Sequence, residues 1–234
     1  MDSIDIQLFD QVIQTRYAAR AFLDQPIEPQ IIKDILQVAS WAPSGTNTQP
    51  WKVYVVTGQK RLDIIEEVCR VQKNIFEQPS VADQYQESFA YYPRVWEPPY
   101  LERRKANGSW LYGLLNINKN DYKKMQAQLL RNYEFFGAPV GLFFTVDHSL
   151  GIGSKMDISM MMQNVMLSAK VRGLDTCPQA AWNKFHSIVL NHLNADKHEV
   201  LVCGMALGYA DPSHIINSSQ TSRVPVDEFA IFLD

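Results

Sequence analysis

Three arginines stand in segments that could bind a phosphate group. Arg16 and Arg20 lie four residues apart with small residues between them, and Arg223 lies in a polar turn far along the chain. A guanidinium group binds phosphate oxygens in a bidentate manner, and a short segment between regular elements leaves backbone N–H groups free to donate. These residues therefore indicate a phosphate site, with ordinary surface ion pairs as the alternative.

A polar turn between two tryptophans, at residues 41–51, offers a second kind of chemistry. Its prolines restrict the backbone, while Ser44, Asn47 and Gln49 supply hydrogen-bond donors and acceptors with little bulk. Such a turn suits the edge of a flat ring that is rich in heteroatoms, and we expect Trp41 and Trp51 to hold it against the core. An ordinary connection between a helix and a strand is the alternative, because loops of this composition are common.

Several familiar site motifs are missing from the chain. Gly151 and Gly153 lack the third glycine of a dinucleotide fingerprint, and the sequence contains neither a P-loop nor a G-x-S-x-G elbow. His186, His192 and His198 recur every six residues, a spacing that does not bring them to one helix face. We therefore expect no metal site, and no side chain is assigned as a catalytic acid, base or nucleophile.

Composition restricts the class of protein further. The 234 residues are 46% hydrophobic and carry a net charge of −3, which disfavours binding to nucleic acid. Three cysteines without a CxxC pair indicate a reducing compartment. The first residues are acidic where a signal peptide would be basic, and no apolar run approaches the ~20 residues that span a bilayer. We expect a cytoplasmic protein that does not enter a membrane.

Alternating helical and strand patterns must position these residues. Helical spacing is found at residues 3–15, 29–38, 61–70, 121–136, 154–172 and 187–193, and strand patterns at 51–57, 139–146 and 200–207. Ser154 is expected to cap the helix that it begins, and Gly173 to end it. The chain is predicted to be one α+β or α/β domain, residues 1–234, with a single sheet.

Residues 73–119 differ from the rest of the chain. They contain four prolines and many aromatic residues, among them Tyr91, Tyr92, Trp96, Trp110 and Tyr112, without a sustained period. A segment of this kind is either a lid over a site or a surface that binds a partner, with a poorly packed excursion as the alternative. We call it the aromatic insertion.

Taken together, these segments resemble the FMN-dependent nitroreductase family. The resemblance extends from about residue 8 to residue 228, and its blocks occur in the family's order. The blocks are Arg16-Tyr-Ala-Ala-Arg-Ala-Phe22, Ala42-Pro-Ser-Gly-Thr-Asn-Thr-Gln-Pro-Trp51, Arg131-Asn-Tyr-Glu-Phe-Phe-Gly-Ala-Pro139, Gly173-Leu-Asp-Thr-Cys-Pro-Gln-Ala-Ala181, and Gly204-Met-Ala-Leu-Gly-Tyr209 with Arg223-Val-Pro225. One departure is Ala18, where the family commonly has serine and so offers one more hydroxyl donor to phosphate.

The resemblance implies a nitroreductase-like fold, an α/β sandwich with a central mixed, mainly antiparallel sheet flanked by helices, in a domain-swapped homodimer. It also implies bound FMN, with the arginines on the phosphate and ribityl side and with Ser44 and Asn47 reaching the flavin from the partner chain. Asn132 would face the polar edge of the ring, and residues 178–181 would pass its face and N5. The implied cofactor residues are Arg16, Tyr17, Ala18, Arg20, Ser44, Asn47, Gln49, Asn132, Pro178, Gln179, Ala180, Ala181 and Arg223.

The function implied by the resemblance is a two-step oxidoreduction. NAD(P)H would dock transiently over FMN and pass a hydride to N5, and a nitroaromatic compound or a quinone would then take its place. This use of one site would explain the missing dinucleotide fingerprint. Reductive dehalogenation, a flavin-fragmenting oxygenase and a non-catalytic flavin-binding protein are the alternatives.

Overall fold

A four-stranded sheet forms the centre of the computed structural model, which describes residues 3–218 and 220–233. The strands are β1 (Lys52–Val56), β2 (Val140–Asp147), β3 (Asp175–Gln179) and β4 (Glu199–Gly208). They are arranged in the order β1-β2-β4-β3, and each neighbouring pair is antiparallel. A parallel β-bridge between Ala18 and Thr176 extends the sheet beyond β3. The expected mainly antiparallel sheet is confirmed.

Seven α-helices surround the sheet in the described part of the chain. They are α1 (Ser3–Thr15), α2 (Pro29–Ala39), α3 (Gly58–Glu77), α4 (Tyr100–Leu114), α5 (Tyr122–Tyr133), α6 (Ile152–Lys170) and α7 (His186–His192). Ile35 of α2 and Val165 of α6 pack into the core on one face of the sheet. Val68 of α3 and Val189 of α7 pack into the core on the other face. The expected α/β sandwich is therefore confirmed.

Strand alternation separates these two cores. Successive side chains of a strand point to opposite faces, so that Phe143 of β2 joins the α3 side while Leu142 and Phe144 join the α2 side. All three side chains are fully buried. Because β2 and β4 are covered on both faces, their sequences are continuously apolar rather than alternating.

Several elements differ from the sequence-based expectation. β3 was not predicted, because its short run contains Pro178 and lacks a strand pattern; proline is tolerated there because β3 is an edge strand. The expected cap at Ser154 is wrong, since α6 already begins at Ile152 and Ser154 is buried inside it. Gly173 does follow the helix with a φ of +74°, as expected of a terminating glycine.

The aromatic insertion is partly helical. α3 continues into it as far as Glu77, and α4 occupies fifteen of its residues, so that its irregular part lies mainly between the two helices. The apolar pattern of α4 is spread around the helix, which is why its period was not visible in the sequence. No helix in the described ranges is both long and apolar enough to cross a membrane.

Candidate active site

Five of the thirteen implied cofactor residues line one cavity. This cavity has a volume of about 420 Å³ and lies between the end of α1, α4 and the segment around residue 220. We call it the arginine cavity. The implied cofactor residues in its wall are Arg16, Tyr17, Ala18, Arg20 and Arg223. Arginines that are about 200 residues apart in sequence are thus brought to one place, as the phosphate-site hypothesis requires.

The segment that carries Arg16 and Arg20 is attached to the edge of the sheet. The Ala19 N–H donates to the Thr176 carbonyl at 3.1 Å, and Ala18 forms the parallel bridge to the same residue. Ala19 is fully buried, whereas its neighbours Ala18 and Arg20 line the cavity. Small residues in this segment therefore allow the chain to lie close to β3 while the arginines face the cavity.

One arginine of this cavity, Arg16, has a buried N–H donor without an acceptor in the described part of the chain. The Nε atom of Arg16 is buried, and none of the described residues offers it a hydrogen-bond acceptor. Burial lowers the pKa of Arg16, and the neighbouring positive charge of Arg223 lowers it further. A buried donor without an acceptor and two close like charges both cost free energy, and an anion in the cavity would relieve both.

The guanidinium groups of Arg20 and Arg223 are held by hydrogen bonds to residues close to them in sequence. The Arg223 guanidinium donates to the Thr221 carbonyl at 2.9 Å and to the Thr221 hydroxyl at 2.8 Å, which fixes the turn in which it lies. Arg20 Nη1 lies 3.3 Å from the Ala18 carbonyl. Both side chains are thereby oriented while retaining further N–H groups for a ligand.

Cys177 lies behind the arginines and is buried as a neutral thiol. Burial raises its pKa to about 11, although the nearby positive charges of Arg20 and Arg16 lower it in part. Thiolates are the nucleophilic form of cysteine, so Cys177 is not activated for covalent chemistry.

The implied flavin-facing turn lies at the end of β3, outside the lining of the arginine cavity. Pro178 is exposed, and Ala180 and Ala181 are half-buried. The Gln179 side chain points into the core, where its Nε2 donates to the Asn132 carbonyl. Gln179 therefore connects the turn to the end of α5 by its side chain and can reach a ligand in the turn only through its main chain.

The polar turn at residues 44–49 also lies outside the cavity lining, and it is exposed. It is held by the Gln49 N–H, which donates to Ser44 Oγ at 3.0 Å, and by the Gly45 N–H, which donates to Asp157 of α6 at 3.3 Å. Thr46, Asn47 and Gln49 have φ values of 50°, 58° and 48°. This left-handed conformation is unusual for a β-branched residue such as Thr46 and is typical of turns with a functional constraint.

The two tryptophans that border this turn have different environments. Trp51 packs against the core beside α2 and α6, as expected of a residue that holds the turn in place. Trp41 is 84% exposed, so the expectation that both tryptophans pack on the core is wrong for Trp41.

Sequence reasoning missed several polar residues of the cavity wall. These are Asn107 of α4, Gln163 of α6 and Gln220, and they line it beside Trp110 of α4, an aromatic residue of the insertion that the sequence had already singled out. Asn107 and Trp110 are three residues apart and so share one helix face, which is the only signal that could have paired them. Both also line an adjoining cavity of about 890 Å³, together with Arg103 and Arg223.

The histidines do not form a metal site. His192 Nε2 lies 2.7 Å from Glu67 Oε2, and the ring of His198 stacks on that of His148 with centroids 4.8 Å apart. Across residues 3–218 and 220–233 there is no group of three or more histidine, cysteine, aspartate or glutamate side chains that could hold a metal ion.

Comparison with known proteins gives consistent matches over nearly the whole chain. A profile of the nitroreductase family matches residues 13–209. The chain is 38% identical to a 4-nitrobenzoate reductase of Nocardioides sp. (strain LMS-CY), covering 97% of this chain and 91% of that protein. It is 36% identical to a chloronitrobenzene nitroreductase of Comamonas testosteroni, covering 96% of each chain.

A solved structure agrees with these matches. The FMN-dependent nitroreductase NfnB of Mycobacterium smegmatis, in complex with NADPH, superposes with a TM-score of 0.89 at 26% identity. The match covers 98% of this chain and 99% of that one.

Proposed function

The chain belongs to the nitroreductase family, and we propose that it is an NAD(P)H-dependent FMN oxidoreductase that reduces nitroaromatic compounds. The names of the relatives support the nitroaromatic acceptor, and the solved relative supports FMN and NADPH. The observation in this chain that carries the proposal is the buried, unpartnered Nε of Arg16 in a cavity that also contains Arg20 and Arg223. Three guanidinium groups around one cavity fit a phosphate monoester.

The residues present fit FMN at its phosphate end. Arg16 would donate through its orphaned Nε, and Arg20 and Arg223 through the N–H groups that local contacts leave free. Ala18 cannot supply a hydroxyl donor, and the loss of one neutral hydrogen bond would cost about 1 kcal/mol of FMN affinity. The remaining charge-assisted bonds exceed that loss, so the departure at Ala18 weakens the site without abolishing it.

The remaining implied residues would surround the ring system. Bound FMN supplies the redox chemistry, which consists of accepting a hydride from the nicotinamide and delivering electrons to the acceptor. The backbone N–H groups near Ala180 and Ala181 would donate to the polar edge of the ring and stabilise negative charge there. Pro178 and Asn132 would limit where the ring can lie, and Tyr17 and Gln179 would contribute through the main chain. Trp110 would provide a flat surface for an aromatic acceptor.

We also propose a domain-swapped homodimer in which Ser44, Asn47 and Gln49 complete the site of the partner. Exposed apolar side chains support this assembly: in α1, Ile4 and Phe9 are 68% and 60% exposed, and in the tail, Ile231 and Phe232 are 85% and 83% exposed. Burial of these side chains against a second copy would remove apolar area from water.

An acceptor for the tail exists on the same molecule. β1 is an edge strand with an open side, and beside it lies an apolar groove of about 540 Å³ between α2 and the start of α3. An extended apolar segment from a second copy could add to such an edge by main-chain hydrogen bonds. This pairing would make each subunit's tail part of the other subunit.

The proposal also includes a cytoplasmic location and a single domain. Three buried free cysteines support a reducing cytoplasm. Residues 1–234 would form one FMN-binding domain, with the aromatic insertion at about 73–119 acting as a lid, since Asn107 and Trp110 of this insertion line the arginine cavity. A quinone is a second acceptor that would fit the same flat site.

The alternative activities are not favoured. Both curated relatives described above are nitroaromatic reductases, and neither is named as a dehalogenase, an oxygenase or a non-catalytic protein. The chain aligns with both relatives over almost its full length, so no segment of theirs that could determine the acceptor is missing from it.

Spectra and turnover of the purified protein test the proposal. We expect a yellow protein, or uptake of FMN on titration, and oxidation of NADPH or NADH that depends on 4-nitrobenzoate or a chloronitrobenzene. Assays under argon and under air, with halophenols and quinones as further acceptors, separate the alternative activities. A colourless protein that takes up no FMN would refute the proposal, as would bound FMN without nitroaromatic turnover.

A further inference from the structure

Asn183 directs its buried side chain entirely to the aromatic insertion. It lies in the short 3₁₀ helix Ala180–Phe185 that follows β3, and it is fully buried. Its Oδ1 accepts from the Ser88 N–H at 3.2 Å and from Ser88 Oγ at 2.5 Å, and its Nδ2 donates to the Phe89 carbonyl at 3.1 Å. Because a main-chain donor and a main-chain acceptor are both involved, only one orientation of the carboxamide satisfies them.

The insertion has few other polar attachments near this point. Residues 86–99 contain neither helix nor strand. Among the other hydrogen bonds that the described structure gives this stretch, the Tyr91 N–H bond to Glu87 is local, and Ser88 Oγ also lies 3.4 Å from the Leu201 carbonyl. The carbonyls of Glu97 and Pro99 accept from the first turn of α4, which continues the chain directly. Asn183 therefore provides the main polar link between this irregular stretch and the core.

Ring contacts continue from this link to the wall of the arginine cavity. Tyr91 and Tyr92 meet edge to face with centroids 4.7 Å apart, and Tyr92 meets Trp96 at 5.5 Å. The Arg104 guanidinium of α4 lies 5.0 Å from the centre of the Trp96 ring. α4 also carries Asn107 and Trp110, which line the cavity. These contacts thus link α4 to the stretch that Asn183 anchors, while α4 also contacts the short 3₁₀ helix Ile215–Asn217.

The base of this anchor is rigid. Trp182, the preceding residue, stacks on Phe135 with centroids 4.7 Å apart and covers Gly204 so closely that a Cβ there would lie 2.3 Å from Trp182 Cδ1. Phe185 packs edge to face on Tyr133 at 5.1 Å. The same 3₁₀ helix begins with Ala180 and Ala181 of the proposed flavin-facing turn. One short element therefore carries both that turn and the anchor of the insertion.

We propose that Asn183 is a positioning residue that fixes the aromatic insertion relative to the flavin-facing turn and so sets the affinity for the aromatic acceptor. This inference rests on the proposed function, because the acceptor is assigned there. Asn183 does not touch the reacting groups; it acts through Ser88 and Phe89. Its loss should loosen the insertion and the α4 wall while leaving the arginine cavity's phosphate contacts unchanged.

Hydrogen exchange measured by mass spectrometry tests the anchor without any assay of activity. Removing Asn183 frees two main-chain groups of the insertion, so amides within residues 86–99 should exchange faster in Asn183→Ala, while β2 and β4 remain protected. Because Asn183 is in the core and this variant could fail to fold, Ser88→Ala provides a second test at an exposed position. Ser88→Thr should restore slow exchange, since it retains the hydroxyl. Ser80→Ala, which lies in the preceding short helix, is the matched control.

Steady-state kinetics test the consequence for the acceptor. In Ser88→Ala and in any folded Asn183→Ala protein, we expect the KM for 4-nitrobenzoate to rise roughly fivefold or more, with kcat and the KM for NADPH within about twofold of the wild type. The FMN dissociation constant should be unchanged. A merely structural role would instead lower FMN content and kcat together.

The anchor, the positioning role and the proposed function are each contradicted by a different result. Unchanged exchange at residues 86–99 in Ser88→Ala would overturn the anchor. Faster exchange with an unchanged acceptor KM would overturn the positioning role while leaving the nitroreductase activity intact. A wild-type protein that binds no FMN or reduces no nitroaromatic would overturn the proposed function, and with it the assignment of Asn183 to an acceptor.

Discussion

Asn217 holds the main chain of Arg20 in place: its Oδ1 accepts a hydrogen bond from the Arg20 N–H at 2.9 Å. Its Nδ2 donates to the carbonyl oxygens of Ala21 and Asp211 at 2.8 and 2.9 Å. One side chain thus joins the arginine segment to the turn that leads towards Arg223. Two of these hydrogen bonds, to Arg20 and to Ala21, join segments that are nearly 200 residues apart in sequence, and the third holds Asn217 within its own turn.

We expect Asn217→Ala to weaken both the fold and FMN binding. Leaving part-buried main-chain groups unsatisfied should lower the free energy of unfolding by about 1–3 kcal/mol, and displacement of Arg20 should weaken FMN binding. Urea denaturation of the apoprotein and FMN titration measure the two effects. Asn217→Asp keeps the acceptor for the Arg20 N–H but loses both N–H donors. Its affinity for FMN should therefore lie between that of the wild type and that of Asn217→Ala. Equal affinity in all three proteins would exclude a role for Asn217 in placing Arg20.

Replacement of Arg16 by alanine should reduce FMN affinity without unfolding the protein. The loss of a charge-assisted contact should cost about 1.5–3 kcal/mol, which is roughly a 10- to 150-fold rise in the dissociation constant. Fluorescence titration of the apoprotein with FMN measures it. Arg70→Ala is the matched control, because Arg70 is exposed on α3 and pairs only weakly with Glu67. If Arg16→Ala binds FMN as tightly as the control, Arg16 is not a phosphate ligand.

The charge of Arg223 should affect the apoprotein and the holoprotein in opposite directions. Arg223 lowers the pKa of Arg16 by like-charge repulsion, so Arg223→Gln should leave the melting temperature of the apoprotein unchanged or raise it. The same variant should bind FMN more weakly and gain less from its addition. Thermal unfolding with and without saturating FMN provides both values. A variant that loses stability equally in the two states would show that Arg223 is only a structural residue.

The exposed tail should be required for association of two chains. Ile231 and Phe232 are more than 80% exposed, and placing charges there would oppose their burial against a second copy. We expect the double variant Ile231→Asp, Phe232→Asp to sediment as a monomer where the wild type is a dimer. Asp227→Asn, in the preceding short 3₁₀ helix, serves as the control. A wild type that is monomeric at all accessible concentrations would refute the swapped dimer.

Glu199 should make stability depend on pH in the acid range. Burial alone would raise its pKa, but hydrogen bonds from Lys52, Thr145 and Tyr54 outweigh burial, so its pKa lies below the ordinary 4.5. A group with a lowered pKa stabilises the fold above its unfolded pKa and loses that contribution as pH falls through the folded value. The Glu199 side chain is only 8% exposed, so screening by water is limited.

Glu199→Gln should therefore be destabilised by about 1–3 kcal/mol at neutral pH and should approach the wild type as the pH falls below 4.5 and through the lowered pKa of Glu199. Denaturant unfolding at several pH values measures the difference. Lys52→Gln should cost less, because Lys52 is largely exposed. A difference between Glu199→Gln and the wild type that is constant from neutral to acid pH would contradict the assigned charge state.

The sequence predicted the chemistry of the site better than its geometry. Arg16, Arg20 and Arg223 were identified because guanidinium groups bind phosphate and because the family resemblance implies all three at the cofactor, and the structure brings them to one cavity. The residues that hold them were not found. Asn217 and Asn183 each bind main-chain groups about 100 or more residues away. No local pattern distinguishes such an asparagine from one in an ordinary turn.

The fold was predictable where side-chain periodicity dominates and was missed where local signals conflict. β2 and β4 are apolar runs bounded by turns, and they were predicted closely. β3 was missed because an edge strand tolerates Pro178, which elsewhere would exclude a strand. Ser154 was taken for a cap because its type fits one, whereas Gly151 precedes the helix. At β3 and at the start of α6, the packing of the whole fold determines the local structure, and the local sequence pattern does not encode it.

The like charges of the arginine cavity connect the lifetime of the folded chain to its cofactor. Arg223 lowers the pKa of Arg16, and the buried Nε of Arg16 has no acceptor among the described residues, so a bound phosphate relieves two costs at once. A ligand that binds only the folded state reduces the fraction of molecules that is open to proteases. The half-life of the polypeptide should therefore lengthen with the supply of FMN.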